Sequence, residues 1–113
     1  MTIQYKNQGI NLSTTGTTSV FTAPSDATIL IKQVQVNNGS TGAVNLSVQV
    51  TDTSASTTFR IFNQSLTASS TTDIINHTLI LEASDILKMT AGTADEIQGI
   101  ISYAQLDRSQ ENG

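Results

Sequence analysis

The sequence predicts an all-β protein, an antiparallel β-sandwich of about seven to nine short strands that is either jelly-roll-like or immunoglobulin-like. Thr and Ser together occupy 31 of the 113 positions, and such a composition disfavours helices and suits strands and turns. Ile, Leu and Val cluster in short blocks about 8 to 12 residues apart, with turn-forming residues between them. Within several blocks apolar and polar side chains alternate, which is the period of a strand with one buried face.

The length and charge of the chain limit what it can do. A chain of 113 residues is the size of one domain, and folding at this length hides only about 60 to 70% of the unfolded surface, so we expect a homo-oligomer. The formal net charge is −4 and the five cationic residues are scattered, which argues against binding nucleic acid. Because no apolar run approaches the roughly 20 residues that a bilayer requires, we expect no membrane association. The absence of cysteine excludes disulfides and thiolate metal sites.

The first sixteen residues are polar apart from two apolar pairs at a spacing of two, Ile3 with Tyr5 and Ile10 with Leu12. We predict an N-terminal arm over residues 1–16. An extended segment can add a strand to the sheet edge of a neighbour, and these four side chains would then be the anchors that contact the partner. The alternative is an ordinary first strand of the same domain.

The predicted sandwich domain covers residues 17–106 and is followed by a flexible tail at residues 107–113. Its strongest strand candidate is 27–36, where the apolar parity changes between Ile31 and Val34. A β-bulge near Lys32, or burial of both faces at the start of the strand, would explain that change.

The remaining strands follow from the same patterns. Residues 37–42 tolerate positive φ, and strict alternation from Val44 to Val50 follows them, so we predict a hairpin there. We predict a loop over 64–72. Leu79 to Met89 also fits helical spacing, but its shortness favours strands. Further strands are predicted at 17–23, 57–62, 74–75, 79–81, 86–89 and 96–106.

Candidate catalytic and ligand-binding residues are few. His77 is the single imidazole, no serine has elbow glycines around it, and a solvent-facing strand position is the expected role of His77. Asp85, Asp95 and Glu96 lack the alternating spacing of a calcium loop, so we interpret them as solvated turn carboxylates. We therefore predict no catalytic residue, no metal site and no cofactor, and we expect a protein that is not an enzyme.

The five aromatic residues could in principle form a platform for sugars. With so few of them, we expect the core to take most. The residues concerned are Tyr5, Phe21, Phe59, Phe62 and Tyr103.

Two stretches resemble a known group of proteins. Val20–Asn38 combines a strand, a proline turn and a long apolar strand ending at asparagine, and it resembles an opening seen in small virion proteins of tailed bacteriophages. Leu79–Ala91 together with Ile100–Tyr103 is similar to the paired closing strands of the same group, which includes head decoration (cement) proteins and tail-associated proteins.

This resemblance implies a β-sandwich structural protein located in the virion. The expected function is capsid decoration, in which several copies, with a trimer favoured, bind and bridge major capsid protein subunits or other virion proteins. A tail ring, adaptor or fibre-base component is the first alternative. A carbohydrate-binding module is a second alternative of a different class.

Overall fold

The computed structural model describes residues 2–75 and 77–107 and places them in two antiparallel sheets, A and B. In this part of the chain no helix is long and apolar enough to cross a bilayer. The strands are β1 (Thr2–Leu12), β2 (Thr18–Thr22), β3 (Ala27–Asn38), β4 (Val44–Asp52), β5 (Thr57–Leu66), β6 (Ser70–Ile75), β7 (Leu79–Leu81), β8 (Ile86–Ala91) and β9 (Ile97–Asp107).

The strand order identifies the sandwich as a jelly roll. Sheet A has the order β1-β9-β3-β6 with β7 also paired to β3, and sheet B has the order β2-β8-β4-β5. The chain passes from one sheet to the other after β1, β2 and β3, and again after β5, β7 and β8. Two four-strand orders of this kind, with β6 and β7 sharing one edge of β3, form a jelly roll. The predicted fold class is confirmed, and the jelly-roll form is the one adopted.

The core lies between the two sheets and is built from the apolar side chains that alternate along each strand. On β3 the bulge predicted near Lys32 is confirmed, because the register with β9 shifts between Ile31 and Gln33. The extra residue resets the parity, so Ile31 and Val34 both face the core and are fully buried. Other fully buried side chains are Leu12, Ile29, Val36, Leu46, Val48, Leu81, Leu87, Met89, Ile97 and Ile101.

The predicted hairpin after β3 is wrong. β3 extends through Asn38 in sheet A, whereas Val44 begins β4 in sheet B, so the intervening residues cross from one sheet to the other. Turn-forming residues predict a reversal of the chain, but they do not specify which sheet receives the next strand. The loop between β5 and β6 is shorter than the predicted loop over 64–72, since β5 continues to Leu66 and β6 begins at Ser70.

The predicted N-terminal arm is, over residues 2–12, the edge strand β1 of sheet A. It pairs with β9 along its whole length, from Thr2 opposite Asp107 to Leu12 opposite Ile97, without a register shift. The structure therefore shows the alternative, a first strand of the domain's own sheet. Asp107, the first residue of the predicted tail, ends β9, and the rest of that tail, 108–113, lies outside the described residues.

Candidate assembly surface

The outer face of sheet A carries a row of apolar side chains across four strands. Tyr5 lies opposite Ala104, Ala104 opposite Leu30, and Leu30 opposite Ile80. Residues directly opposite each other on antiparallel strands point to the same side of the sheet, so these four side chains are lateral neighbours. The row crosses β1, β9, β3 and β7.

A second row lies beside the first, where Ile3 is opposite Leu106. We call the two rows together the apolar patch. The exposed fractions are 55% for Ile3, 82% for Tyr5 and 58% for Ile80, which leaves most of these side chains in contact with water. Ala104 is only 3% exposed although it lies on the outer face, because larger side chains flank it. The members of the apolar patch are Ile3, Tyr5, Leu30, Ile80, Ala104 and Leu106.

The outer face of sheet B is polar by comparison. Gln49 lies opposite Arg60 on one side and Lys88 on the other, so a row of polar and cationic side chains crosses three strands. In the next row the hydroxyl oxygens of Thr51 and Thr58 are 2.8 Å apart and share a hydrogen bond. The two outer faces of the molecule therefore differ in chemistry.

The four predicted anchor residues of the N-terminal segment divide between the two faces of β1. Ile3 and Tyr5 point outwards and belong to the apolar patch. Ile10 and Leu12 point inwards and are only 5% and 1% exposed, as members of the core. Because alternate residues of a strand face opposite sides, the even-numbered pair is used by the core and does not present a surface to a partner. Their assignment as partner anchors is corrected accordingly.

The sequence alone did not predict that Leu30, Ile80 and Leu106 lie on the surface. A signal existed for two of them, because each stands in the middle of three consecutive apolar residues, Ile29–Ile31 and Leu79–Leu81. Such a run places an apolar side chain on both faces of a strand. Which face is covered by the other sheet depends on the tertiary structure.

An acidic cluster lies at one end of the sandwich. Asp85 was predicted to be a solvated turn carboxylate, and this is wrong, since it is only 4% exposed. Its carboxylate accepts hydrogen bonds from the backbone N–H and the hydroxyl of Thr53, at 3.0 and 3.1 Å, and from the N–H of Glu82, at 3.0 Å. Oxygens of Asp52, Glu82 and Asp85 lie within 4.8 Å of one another. The bonds of Asp85 tie the loop after β4 to the loop before β8.

The exposed turn after β4 adds a second set of hydrogen bonds. The Ser54 hydroxyl donates to Oδ1 of Asp52 at 2.7 Å, and the N–H groups of Ser54 and Ala55 donate to the same oxygen. Hydrogen bonds to a charged carboxylate favour the charged form. The Ser54 hydroxyl, followed by the backbone N–H groups, therefore holds the pKa of Asp52 below its ordinary value.

His77 lies in the bend between β6 and β7, so its predicted exposure is correct and its predicted strand position is wrong. It borders a shallow apolar crevice together with Ile61 and Leu79. His77 does not enter the apolar patch.

The aromatic side chains do not form a single platform. Tyr103 is only 8% exposed and packs edge-on against Phe21, with ring centroids 4.6 Å apart. Burial raises the pKa of the Tyr103 phenol. Tyr5 and Phe59 are exposed, but they belong to different sheets. Phe21 and Tyr103 are thus part of the core, as expected for most of the aromatic residues.

No family model and no curated protein matches the sequence. Solved structures of viral particles do match the fold. A chain from the acid-stable capsid of Helicobacter pylori bacteriophage KHP30 aligns with a TM-score of 0.58 at 12% identity, over 96% of this chain and 90% of that chain. A chain from the T13 particle of infectious bursal disease virus aligns with a TM-score of 0.57 at 12% identity, over 93% of this chain and 31% of that one.

A further chain, from the Gx strain of infectious bursal disease virus, aligns with a TM-score of 0.56 at 12% identity, over 96% of this chain and 33% of that one. This protein therefore spans about a third of the length of the bursal disease virus chains, but nearly the full length of the phage chain. At these identities the similarity establishes a shared jelly-roll fold.

Proposed function

We propose that this chain is a structural protein of a bacteriophage virion that decorates or cements the capsid by binding and bridging major capsid subunits. The apolar patch on sheet A is the observation that carries the proposal. Large contiguous apolar patches are rare on soluble monomers and commonly mark a site of interaction with another molecule. The jelly-roll fold, shared with chains of viral particles, and the similar length of the KHP30 chain support a virion setting.

The apolar patch and the jelly-roll fold suit a role in binding other virion proteins, without chemical conversion of a substrate. Several copies would cover the shell, each with its apolar patch against a capsid subunit. A single patch supplies a weak contact, but linked copies bind far more tightly, because each additional contact forms at a high effective concentration. A homo-oligomer provides this linkage, and a trimer is the form that the resemblance to phage proteins favours.

The location on the capsid surface is part of the proposal, and a tail ring, adaptor or fibre-base component is the alternative with the same fold. Mass spectrometry of separated heads and tails distinguishes them. Hundreds of copies in the head fraction would support capsid decoration. A few to dozens of copies, confined to tails, would contradict it and support the alternative.

The contact itself is tested by removing the apolar patch without disturbing the core. We expect the double substitution Tyr5→Ser with Ile80→Ser to reduce binding to particles that lack this chain by at least about tenfold, because both side chains are more than half exposed and available to a partner. The matched control is Phe59→Ser, an exposed apolar side chain outside the patch, at 51% exposure.

Binding is measured by co-sedimentation of purified protein with the particles. Circular dichroism and unfolding curves establish that the variants are folded. Undiminished binding of the double variant, or an equal loss in Phe59→Ser, would contradict the proposed contact.

A further inference from the structure

β1 differs from the other strands at the sheet edges. β2 has a register shift between Ser19 and Phe21, β5 has an extra residue at Ile61, and β6 has an extra residue at Ile74. β7, which shares an edge with β6, is only three residues long. Bulges and short edge strands are the features by which proteins prevent edge-to-edge pairing.

β1 lacks these protective features. It is eleven residues long, pairs with β9 without a register shift and contains no proline. Its single charged residue is Lys6. A long, regular edge strand is a template for the addition of another strand. We infer that two copies of this chain associate by antiparallel pairing of their β1 strands about a two-fold axis at Asn7, which joins their A sheets into one continuous sheet.

The side-chain pattern of β1 favours a second copy as the occupant. Two identical antiparallel strands related by a two-fold axis through one residue place odd-numbered positions opposite odd-numbered positions. Outward side chains such as Ile3 and Tyr5 then stay on the outer face in both copies. The apolar patches of the two copies consequently lie on the same side of the combined sheet.

The position of the axis follows from length, charge and side-chain size. With the axis at Asn7, all eleven residues of β1 pair, from Thr2 opposite Leu12 of the second copy onwards. Lys6 is then opposite Gln8 of the second copy, so like charges do not meet. Tyr5 is opposite Gly9 of the second copy. The space beside Gly9 is open, since a Cβ added there would meet no atom within 4 Å. An aromatic ring on the opposite strand can cover such a glycine.

The proposed contact is small. An eleven-residue strand edge is about 36 Å long, and one added strand buries less surface than the roughly 800 Å² per partner of a standard interface. Association should therefore depend on concentration. The inference goes beyond the proposed function and does not require it. It predicts a two-fold dimer, whereas the resemblance to phage proteins favours a trimer, and the oligomeric state of the purified chain distinguishes the two.

Disulfide formation between two copies tests the proposed register. Because the chain has no cysteine, a single introduced cysteine can form a disulfide only with the same cysteine of another copy. In Asn7→Cys the two new thiols would face each other, with Cα atoms about 4.5 to 5.5 Å apart, inside the range for a disulfide. We expect mild oxidation to link most of this variant into dimers. The controls are Gln4→Cys, which would face Ile10 of the second copy, and Asn63→Cys on the bulged edge strand β5.

Both controls should cross-link at least about tenfold more slowly. A rate for Asn7→Cys no higher than that of Asn63→Cys would overturn the β1 contact. Faster cross-linking of Gln4→Cys than of Asn7→Cys would overturn the axis at Asn7.

Sedimentation equilibrium tests the association without a covalent bond. We expect the unmodified chain to form dimers in a concentration-dependent manner. Asn7→Lys should raise the dissociation constant at least tenfold, because it places two cations beside each other on the axis, and Asn63→Lys should leave it unchanged.

Unfolding curves verify that both variants fold. A trimer, a monomer at all concentrations, or an unaffected Asn7→Lys variant would overturn the inference. Since only purified protein is used, the outcome is independent of capsid binding.

Discussion

Asn38 is a polar side chain in the core, fully buried at the end of β3. Its Nδ2 donates to the carbonyl oxygens of Gly42, Leu66 and Thr67 at 3.1, 3.2 and 3.3 Å. Its Oδ1 accepts from the N–H of Ser40 at 2.9 Å. One amide thus holds together the segment that crosses to β4 and the end of β5, and every polar atom of the side chain is used.

We expect Asn38→Ala to lower the free energy of unfolding by about 2 to 4 kcal/mol, because it removes the amide donor from buried and part-buried carbonyl groups and opens a small cavity. Asn37→Ala is the matched control. Asn37 is exposed and its side chain donates to the Thr71 hydroxyl at 3.0 Å, so its loss should cost under about 1 kcal/mol. Urea denaturation of the two variants measures the difference. Equal losses would show that burial of Asn38 has no energetic consequence.

At the scale of the residue, the sequence indicated which apolar side chains alternate into the core, such as Val44 and Leu46, but not the role of Asn38. Asn38 stands beside Asn37 and Gly39, a context that favours a turn. Its burial depends on the carbonyl of Leu66, which is 28 positions away. Asp85 was misjudged for the same reason, since its partner Thr53 is 32 positions distant.

At the scale of the element, strands and bulges were more predictable than their partners. The apolar spacing around Lys32 was sufficient to locate the bulge of β3, because parity is a local property of a strand. The sheet that the chain enters after β3 could not be predicted from the local sequence. Whether β4 pairs with β3 or joins the opposite sheet depends on β8 and β5, which flank β4 in sheet B.

The turn between β4 and β5 provides a prediction at the same scale. Asp52 lies opposite Thr57 where the two strands meet, and its carboxylate accepts from Ser54. Because folding lowers the pKa of Asp52, the ionised group stabilises the folded state at neutral pH, and this contribution is lost as the pH falls below 3.8 through the folded-state pKa. We expect Asp52→Asn to be less stable than the unmodified chain at pH 7 and equally stable in acid.

Thermal unfolding across pH measures this difference. The partner substitution Ser54→Ala should produce a similar loss at pH 7. The double variant should lose little more than either single one, because both substitutions remove the same charge-assisted hydrogen bond. Additive losses, or a difference between Asp52→Asn and the unmodified chain that persists in acid, would contradict this role of the turn.

At the scale of the whole molecule, the sequence predicted the sandwich but not the contrast between its two outer faces. The apolar patch depends on the register of β1, β9, β3 and β7, which are far apart along the chain. Ile3 and Tyr5 could be selected from their spacing, whereas their proximity to Ile80 could not. Cross-strand register is set by the packing of the complete sheet, so a single strand does not reveal it.

The distribution of charge leads to a prediction about how the molecule would bind a shell. The net charge is −4, but the two rows of the apolar patch contain no charged residue. Contacts between exposed charges are largely screened at about 1 M salt, whereas burial of apolar surface is not weakened by screening. We therefore expect binding to particles to change less than about threefold between 0.1 and 1 M NaCl, and to strengthen in sulfate, which favours burial of apolar surface.

Co-sedimentation at a series of salt concentrations measures this dependence. The double variant Tyr5→Ser with Ile80→Ser is the matched control, because its residual binding should no longer strengthen in sulfate. If binding is instead lost as NaCl rises, charged groups outside the patch hold the protein on the shell. Lys6 and Lys32, the two exposed lysines of sheet A, would then be the first residues to examine, and the apolar patch would need another partner.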